Sequence, residues 1–381
     1  MSDTPFILPS DLKANYEAYK DEIRAAALRV LDSGWYIGGK EVETFEQAFA
    51  QFVGTPHALG CASGTDAIIL ALRACGIGRG DVVLTVAHTA VATVAAIELA
   101  GATPALVDVD PERFTLDPER LRSACRALAD GRAGRLKAVL PVHLYGQPAD
   151  LPAILAVADE FGLAVIEDCS QAHGARLNGR QVGAWGRAGT FSFYPTKNLG
   201  ALGDGGAVTT ADPGIATQLR LLREYGWKER YVSHLAGMNS RLDPLQAAML
   251  AVKLPHLDAE NHRRQAIAAR YTAAFRGSAL VLPRIFPGAE PVYHQYVVQH
   301  PRREALRLFL KERGIGSLIH YPVPVHRQPA YQDRLPLPAG PLCVTEAACE
   351  RILSLPIHGQ LTNEQCDRVI RAVTEWMALQ S

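Results

Sequence analysis

Hydrophobic residues in the first two thirds of the chain follow two patterns that alternate. Short continuous apolar runs, typical of buried strands, lie at 57–61, 82–86, 105–109, 138–142 and 163–166. The segments between these runs carry apolar residues three or four positions apart, as on one face of a helix. This alternation predicts a mostly parallel central sheet with right-handed helical crossovers, and therefore an α/β fold.

The pattern changes after Pro255. A long helix rich in Arg and Ala is predicted first, and short strands and two further helices follow it, at 258–275, 293–299, 303–313 and 362–379. Helices and strands no longer alternate regularly in this part. We therefore predict two domains, a large cofactor-binding α/β domain at 1–256 and a small C-terminal α+β domain at 257–381.

Three segments show no regular spacing of hydrophobic residues. Residues 1–20 are mixed, and residues 225–238 are polar and aromatic, which predicts a long loop. The segment 35–39 combines two aromatic residues with two glycines. It is interpreted either as a hydrophobic plug beneath the next helix or as a substrate contact.

Composition excludes several classes of protein. The 381 residues include 39 basic and 39 acidic ones, so no excess charge favours nucleic acid or an anionic membrane. The most apolar stretch, 89–109, contains Glu98 and is broken by glycines, and the first residues lack a signal-peptide pattern, so no membrane segment is expected. Seven cysteines without CxxC pairs argue against a disulfide framework or a zinc site and favour a reducing, cytoplasmic compartment.

A single lysine, Lys197, follows a predicted strand at 189–194, which Pro195 ends because proline has no N–H for the ladder. Four glycines after the lysine allow the backbone a close approach, at 200, 203, 205 and 206. A lysine among glycine and aromatic residues is poorly hydrated, so its amine loses a proton near neutral pH and becomes nucleophilic. On spacing alone, a solvated loop lysine is the better interpretation, but a second element changes it.

That element is the acidic end of the strand at 164–166, where Asp168 follows. In doubly wound α/β sheets, ligands bind at the carboxyl ends of the strands. An acid at such an end, with a strand-terminal lysine about thirty residues later, fits a pyridoxal phosphate site. Lys197 would hold the cofactor as a Schiff base, and Asp168 would keep the pyridine nitrogen protonated.

The segment Ser63-Gly64-Thr65 leads into a helix predicted at 66–74. Backbone N–H groups and the macrodipole make a helix N-terminus an anion site. Taken alone, an ordinary N-cap by a hydroxyl residue is the simpler interpretation. Beside Lys197 and Asp168, phosphate binding by Gly64 and Thr65 becomes the prediction.

Six short segments spread over nearly the whole chain match one family in their order: CASGTDA at 61–67, PVHLYGQ at 141–147, IED at 166–168, SFYPTK at 192–197, GDGG at 203–206 and NSRLD at 239–243. Together they resemble the DegT/DnrJ/EryC1/StrS family of PLP-dependent nucleotide-sugar aminotransferases. The resemblance implies the aspartate aminotransferase-like fold of PLP-dependent transferases, fold type I.

The resemblance also implies roles for further residues. Gln171 would contact the phenolate oxygen of the cofactor ring, and Ser192 would bind the phosphate together with Gly64 and Thr65. Asn239 would add a phosphate contact from the neighbouring subunit. A homodimer with shared active sites is therefore expected.

One position departs from the family pattern. Many relatives carry an aromatic residue, which stacks on the cofactor ring, where this chain has Ala90. His88, two residues earlier, is either the stacking residue in its place or only a residue at the start of a helix. Both interpretations stay open.

The activity implied by the resemblance is transamination, because dehydratase relatives carry histidine where this chain has Lys197. The amino donor would be L-glutamate, the acceptor a nucleotide keto-sugar, and the cofactor would pass through pyridoxamine phosphate. The segments 143–147 and 239–241 most resemble enzymes that aminate C3 of dTDP-3-keto-6-deoxyhexoses, and aminases of C4 or of 3-keto-uronates look similar. The substrate-side candidates are Arg241, His320 and Tyr321.

The proline-stiffened segment 317–327 is expected both to join the domains rigidly and to border the substrate pocket. Its two histidines, His320 and His326, lack a third ligand at metal-like spacing, so no metal site is expected. Two other classes remain as alternatives. A desulfurase or aldolase of similar fold is one, although no cysteine lies in a clear mobile loop, and a non-catalytic regulatory relative, which would not need both Lys197 and Asp168, is the other.

Overall fold

The computed structural model describes residues 5–131 and 133–380. Its centre is a sheet of seven strands in the spatial order β1-β7-β6-β5-β4-β2-β3. In chain order the strands are β1 His57–Cys61, β2 Asp81–Val86, β3 Thr103–Val107, β4 Arg135–Val139, β5 Ala164–Asp168, β6 Ala188–Ser192 and β7 Gly206–Thr210. Only β7 runs antiparallel to its neighbours, which confirms the mostly parallel sheet and the α/β class.

Alternate residues of each strand point to opposite faces, and both faces are covered by helices. Val82 and Leu84 of β2 pack into one apolar cluster with the helices Pro118–Ala127 and Leu151–Phe161. Val83, between them, packs into a second cluster on the other face. The remaining helices before residue 257 are Leu12–Ala18, Lys20–Ser33, Lys40–Val53, Gly64–Ala74, Val91–Leu99, Pro213–Leu222 and Pro244–Lys253.

In the described C-terminal part, 257–380, there are four α-helices and a two-stranded sheet, in chain order Leu257–Phe275, Tyr296–Gln299, Arg303–Glu312, Cys343–Arg351, Ile352–Leu355 and Asn363–Ala378. Its apolar cluster also includes Ile7, whose N–H and C=O bond to Gly314 and Gly316. The start of the chain therefore packs with its end. The division at 256/257 stays a prediction.

Several elements escaped the sequence patterns, among them the helix Cys343–Arg351 and the strand Ile352–Leu355. The helix Leu12–Ala18 lies in the segment without a period, and its N-cap, Asp11, accepts a hydrogen bond from the N–H of Ala14. The segment expected to be a long loop contains a short hairpin, Trp227–Glu229 with Val232–Ser233. Short helices and isolated two-residue strands carry too few residues to show a period.

No helix among the described residues is long and apolar enough to span a bilayer. The most apolar candidate of the sequence, 89–109, consists of the helix Val91–Leu99 followed by β3. The stretch therefore contains a helix, a turn and a strand and is not one continuous helix.

Candidate active site

Lys197 lies in a tight loop directly after β6. The loop folds back on the strand, because the N–H of Lys197 donates to the carbonyl of Tyr194 at 2.8 Å and the N–H of Ala201 donates to that of Phe193 at 2.8 Å. A Cβ atom at Gly200 would lie 2.3 Å from the carbonyl oxygen of Pro195. Glycine is required there, and the loop can hold the lysine in one place.

Burial controls the protonation of Lys197. Its ammonium form is poorly solvated, which lowers the pKa from 10.5 to about 8, although the negative charge of Asp168 opposes this shift. An appreciable fraction of the amine is therefore neutral near physiological pH. This is the nucleophilic form that the sequence predicted.

Asp168 ends β5, the strand beside β6, so the two residues lie at the same edge of the sheet. Its carboxylate is buried and accepts two hydrogen bonds, at 2.9 Å from the hydroxyl of Thr93 and at 3.1 Å from the N–H of Ser170. Both oxygens are thereby oriented. The hydroxyl of Thr93 is in turn 2.9 Å from that of Thr89, which must be the donor because Thr93 uses its hydrogen on Asp168.

The helix Gly64–Ala74 begins at the same place. Ser63 is its N-cap and accepts the N–H of Asp66 at 3.1 Å. A Cβ atom at Gly64 would lie 2.5 Å from the Cβ of Ser192, so only glycine lets the helix N-terminus approach the end of β6. The N-cap interpretation and the anion-site interpretation are compatible, since Ser63 caps the helix while Gly64 and Thr65 also line the cavity described next.

These elements enclose a cavity of about 240 Å³. It brings together six of the residues singled out from the sequence, namely Gly64, Thr65, Asp168, Gln171, Ser192 and Lys197. Its lining also includes residues that sequence reasoning did not assign to the site, among them Thr89, Thr93, Tyr194 and Asp204. The sequence did offer one signal for Thr89 and Thr93, because two hydroxyl residues four positions apart near a helix start can lie on the same side.

His88 does not stack in this cavity, which corrects the first of the two interpretations left open. Its ring is fully buried away from the lining and lies 5.5 Å from the ring of Phe114. Its Nε2 is 2.7 Å from the hydroxyl of Tyr145, and its Nδ1 is 3.6 Å from the thiol of Cys349. The helix begins only at Val91, so His88 precedes it, and Ala90 lines the cavity instead.

Gln171 connects the cavity to the segment 317–327. Its Oε1 accepts the N–H of Tyr145 at 2.8 Å, and its Nε2 donates to the hydroxyl of Tyr321 at 3.1 Å. Burial raises the pKa of Tyr321 to about 12, so its hydroxyl stays protonated. One N–H of the amide remains free of these contacts for a ligand.

His320 lies beside the same region. Its Nδ1 is 2.8 Å from the hydroxyl of Ser354, and its carbonyl accepts the hydroxyl of Tyr145. Burial first, and the charge of Lys197 second, lower its pKa to about 4, so the imidazole is neutral at physiological pH. His320 and Tyr321 are thus held near Lys197 and Asp168, and their role on the substrate side stays a prediction.

Asn239 and Arg241 do not line the Lys197 cavity of their own chain. They line a second, open cleft of about 520 Å³ together with Ile37, and Asp204 lines both spaces. Arg241 contacts Glu224 at 3.3 Å. The loop before this cleft exposes Trp35 to 64 %, so it is not a plug beneath the next helix.

Three buried side chains beside Asp168 are arranged like metal ligands, but they already bond to other groups of the protein. Glu167, His143 and Cys169 lie close together. The carboxylate of Glu167 accepts three backbone N–H groups at 2.8 Å each, from residues 183, 185 and 186. Since Nδ1 of His143 accepts the N–H of Ala149, its Nε2 carries the proton that it donates to Glu167. The cluster anchors the backbone beneath the site.

The cavity therefore offers a buried amine, a fixed carboxylate and a helix N-terminus at three of its sides. A model of the DegT/DnrJ/EryC1/StrS aminotransferase family matches residues 17–374. The chain belongs to this family. DegT family aminotransferases use pyridoxal phosphate, and the donor set of the cavity fits an aldehyde, a pyridine nitrogen and a phosphate.

Individual relatives cover the whole chain. A dTDP-3-amino-3,4,6-trideoxy-alpha-D-glucose transaminase of Streptomyces venezuelae is 48 % identical over 98 % of this chain and 97 % of its own. The erythromycin biosynthesis sensory transduction protein EryC1 of Saccharopolyspora erythraea is 46 % identical over 97 % and 98 %. The crystal structure of S. venezuelae DesV in complex with a ketimine intermediate superposes with a TM-score of 0.93 at 47 % identity, over 98 % of this chain and 99 % of the other. The fold type I class is thereby confirmed.

Proposed function

We propose that this DegT family aminotransferase moves an amino group from L-glutamate to C3 of a dTDP-linked 3-keto-6-deoxyhexose. One observation carries the proposal: Lys197, with a pKa lowered to about 8, and the oriented carboxylate of Asp168 share one cavity. The similarity to a dTDP-3-amino sugar transaminase over 98 % of the chain supports the sugar class.

When bound, pyridoxal phosphate supplies an aldehyde that takes up the amino group and an electron-withdrawing ring. Asp168 would hold the proton of the pyridine nitrogen, and Gln171 would contact the phenolate oxygen. The N–H groups of Gly64 and Thr65 and the hydroxyl of Ser192 would bind the phosphate. Lys197 would then carry a proton on its Nζ, taken from the α-carbon of the amino acid in the first half of the reaction and delivered to the aminated carbon of the sugar in the second.

The acting unit would be a homodimer. Asn239 and Arg241 lie in the second cleft, apart from the cavity of their own chain. Beside them the loop exposes large apolar side chains, with Trp35 at 64 % and Ile37 at 52 %. We infer that this surface meets a second copy, so that Asn239 reaches the partner's phosphate and each site is shared.

The sugar nucleotide would have His320 and Tyr321 of one subunit on one side and Arg241 on the other. Arg241 supplies a charge suited to a diphosphate, because a guanidinium binds phosphate oxygens in a planar, bidentate way. The neutral imidazole of His320 and the protonated hydroxyl of Tyr321 suit the uncharged hydroxyl groups of a sugar. We place the protein in the cytoplasm, where the thiols of its seven free cysteines stay reduced.

A regulatory role is the second candidate, because one relative at 46 % identity is named a sensory transduction protein. A regulator without catalysis would not need a depressed lysine pKa beside an oriented carboxylate. The enzymatic function is therefore preferred.

A panel of substrates tests the proposal. Purified protein loaded with cofactor is given L-glutamate and one keto-sugar at a time, namely a dTDP-3-keto-6-deoxyhexose, a dTDP-4-keto-6-deoxyhexose and a UDP-linked 3-keto-uronate. We expect 2-oxoglutarate and an amino sugar from the first alone, and neither from the Lys197→Ala variant. Turnover of the second or third sugar instead would overturn the C3 assignment, and no turnover of any, with cofactor bound, would favour the regulatory role.

A further inference from the structure

Two buried asparagines connect the loops that carry the proposed catalytic residues. Asn198 follows Lys197, and its Nδ2 donates to Oδ1 of Asn261 at 2.8 Å. The Nδ2 of Asn261 donates in turn to the carbonyl of His173 at 2.9 Å, in the segment that follows Asp168. We call this chain of two hydrogen bonds the asparagine bridge.

The bridge is tightly enclosed. Asn198 and Asn261 are 5 % and 4 % exposed. A Cβ atom at Gly174 would lie 2.8 Å from Nδ2 of Asn261, so the segment after Asp168 presses directly on the amide. Asn198 also donates to the carbonyl of Val292 at 3.1 Å, and its Oδ1 is 3.2 Å from Nδ1 of His294. No room remains for either amide to turn without losing its partners.

Asn261 itself is part of neither loop. It lies on the helix Leu257–Phe275, next to Glu260, whose carboxylate accepts bonds from Tyr19 at 2.7 Å and Gln360 at 2.6 Å. The start of this helix is thereby fixed to both ends of the chain. Lys253 lies just before the short turn Leu254–His256 that leads into this helix. It donates to the carbonyl of Gly200 at 2.6 Å and so restrains the loop of Lys197 as well.

We propose that Asn261 is a positioning residue, which through the asparagine bridge fixes the loop of Lys197 against the segment that follows Asp168. A small displacement between two reacting groups lowers the rate strongly, by about a hundredfold for 1 Å. The amide suits this role because it donates on one side and accepts on the other, which neither a carboxylate nor an apolar side chain of the same size does.

Asn261→Leu keeps the number and branching of the side-chain heavy atoms and removes both hydrogen bonds, and Thr272→Val is its matched control. Thr272 lies on the same helix, and Thr272→Val loses one hydrogen bond, to the hydroxyl of Tyr296 at 2.9 Å; neither residue lines the cavity. Four quantities are measured on the cofactor-loaded enzymes: the melting temperature, kcat and KM for the keto-sugar, and the pH midpoint of the visible absorption without any sugar.

We expect both variants to melt at lower temperature than the wild type. Asn261→Leu alone should lose roughly 10- to 100-fold in kcat, with KM changed by less than about threefold, because the reacting groups and not the sugar contacts are displaced. It alone should also shift the absorption midpoint, by about half a pH unit or more, since the surroundings of Lys197 change. Asn261→Leu with a lower melting temperature but an unchanged kcat and midpoint would overturn the proposal.

A double-mutant cycle tests the bridge from the other side. Asn198→Ala and Asn261→Ala both break the hydrogen bond between the two amides, so the double variant should lose less kcat than the product of the two single losses. If the two losses in kcat multiply in the double variant, the coupling between Asn198 and Asn261 is refuted. If Asn261→Leu does not accumulate, Asn198→Ala and Asn261→Ser take its place with the same criteria.

The proposal rests on the assigned role of Lys197, and the two can fail separately. If borohydride still fixes the cofactor to the protein in Lys197→Ala, the proposed role of Lys197 is wrong. If that label is lost in Lys197→Ala but Asn261→Leu keeps the kcat and the midpoint of the wild type, the positioning role alone is wrong.

Discussion

The hydroxyl of Thr93 donates to a carboxylate oxygen of Asp168 at 2.9 Å. Thr93 belongs to the first turn of the helix Val91–Leu99, while Asp168 ends β5, so a helix and a strand far apart in the chain orient one acid together. The N–H of Ser170 holds the second oxygen at 3.1 Å. The proposed partner of the pyridine nitrogen is therefore fixed by the protein and does not depend on the ligand for its orientation.

Thr93→Val keeps the shape of the side chain and removes this donor. A hydrogen bond to a charged group contributes about 1.5–3 kcal/mol, so we expect the half-reaction with glutamate to slow by about tenfold or more. Rapid-mixing absorption spectroscopy measures this rate. Thr93→Ser retains the hydroxyl and is the control, and equal rates for the two variants would contradict the orienting role.

Lys197→Ala should lose turnover by several orders of magnitude, because no other amine of the cavity lining can move the proton. Borohydride treatment of the wild-type enzyme should fix the cofactor onto the peptide that contains residue 197, as read by mass spectrometry. Lys253→Met, which removes the other buried lysine with a lowered pKa, is the control and should leave that labelled peptide unchanged. Label on a different peptide in the wild type would refute the assignment.

Asp168→Asn should bind the cofactor but react slowly, since a neutral amide cannot hold the pyridine proton by charge. We expect activity to fall far more than the melting temperature, because the amide can still accept the bond from Thr93. Stopped-flow measurement with glutamate and thermal unfolding are compared on the same preparation. Normal half-reaction kinetics in this variant would exclude the proposed role.

The pKa of Lys197 makes cofactor uptake depend on pH. Burial lowers this pKa from 10.5 to about 8, so below that pH the amine is mostly protonated and unreactive. The rate of cofactor uptake by the apo protein should rise with pH and level off above about 8. A rate that keeps rising towards pH 10 would indicate a solvated lysine, the interpretation that spacing alone favoured.

Subunit mixing tests whether Asn239 acts in the partner's site. Asn239→Asp would put a carboxylate beside the phosphate and weaken cofactor binding. If Asn239 acts across the interface, a hybrid of Lys197→Ala and Asn239→Asp subunits has one site with both defects and one with neither. Random exchange between two inactive variants should then restore about a quarter of wild-type activity.

As a control, the formation of hybrid dimers is verified with a different affinity tag on each variant. Hybrids that form and stay inactive would mean that Asn239 acts within its own chain. That result would remove the main argument for a shared site, while the assignment of Lys197 and Asp168 would stand.

The sequence by itself determined the α/β class, most strands of the central sheet and the pairing of Lys197 with Asp168. These features are local or follow from simple topology: apolar runs form buried strands, and the carboxyl ends of parallel strands share one edge of the sheet. An acid and a lysine that each follow such a strand must therefore lie near each other. Glycines at tight turns, such as Gly200, were also readable, because only a missing side chain permits the turn.

The tertiary structure decided which way side chains point and which distant residues meet. Spacing could not tell that His88 turns to Tyr145 and away from the cavity, because that depends on the packing of its neighbours. Thr93 and Asn261 were missed for the same reason. Thr93 meets its partner 75 positions away, and Asn261 meets its two partners 63 and 88 positions away. Periodicity records which face of an element is buried, whereas hydrogen-bond partners across elements are fixed only once those elements are packed together.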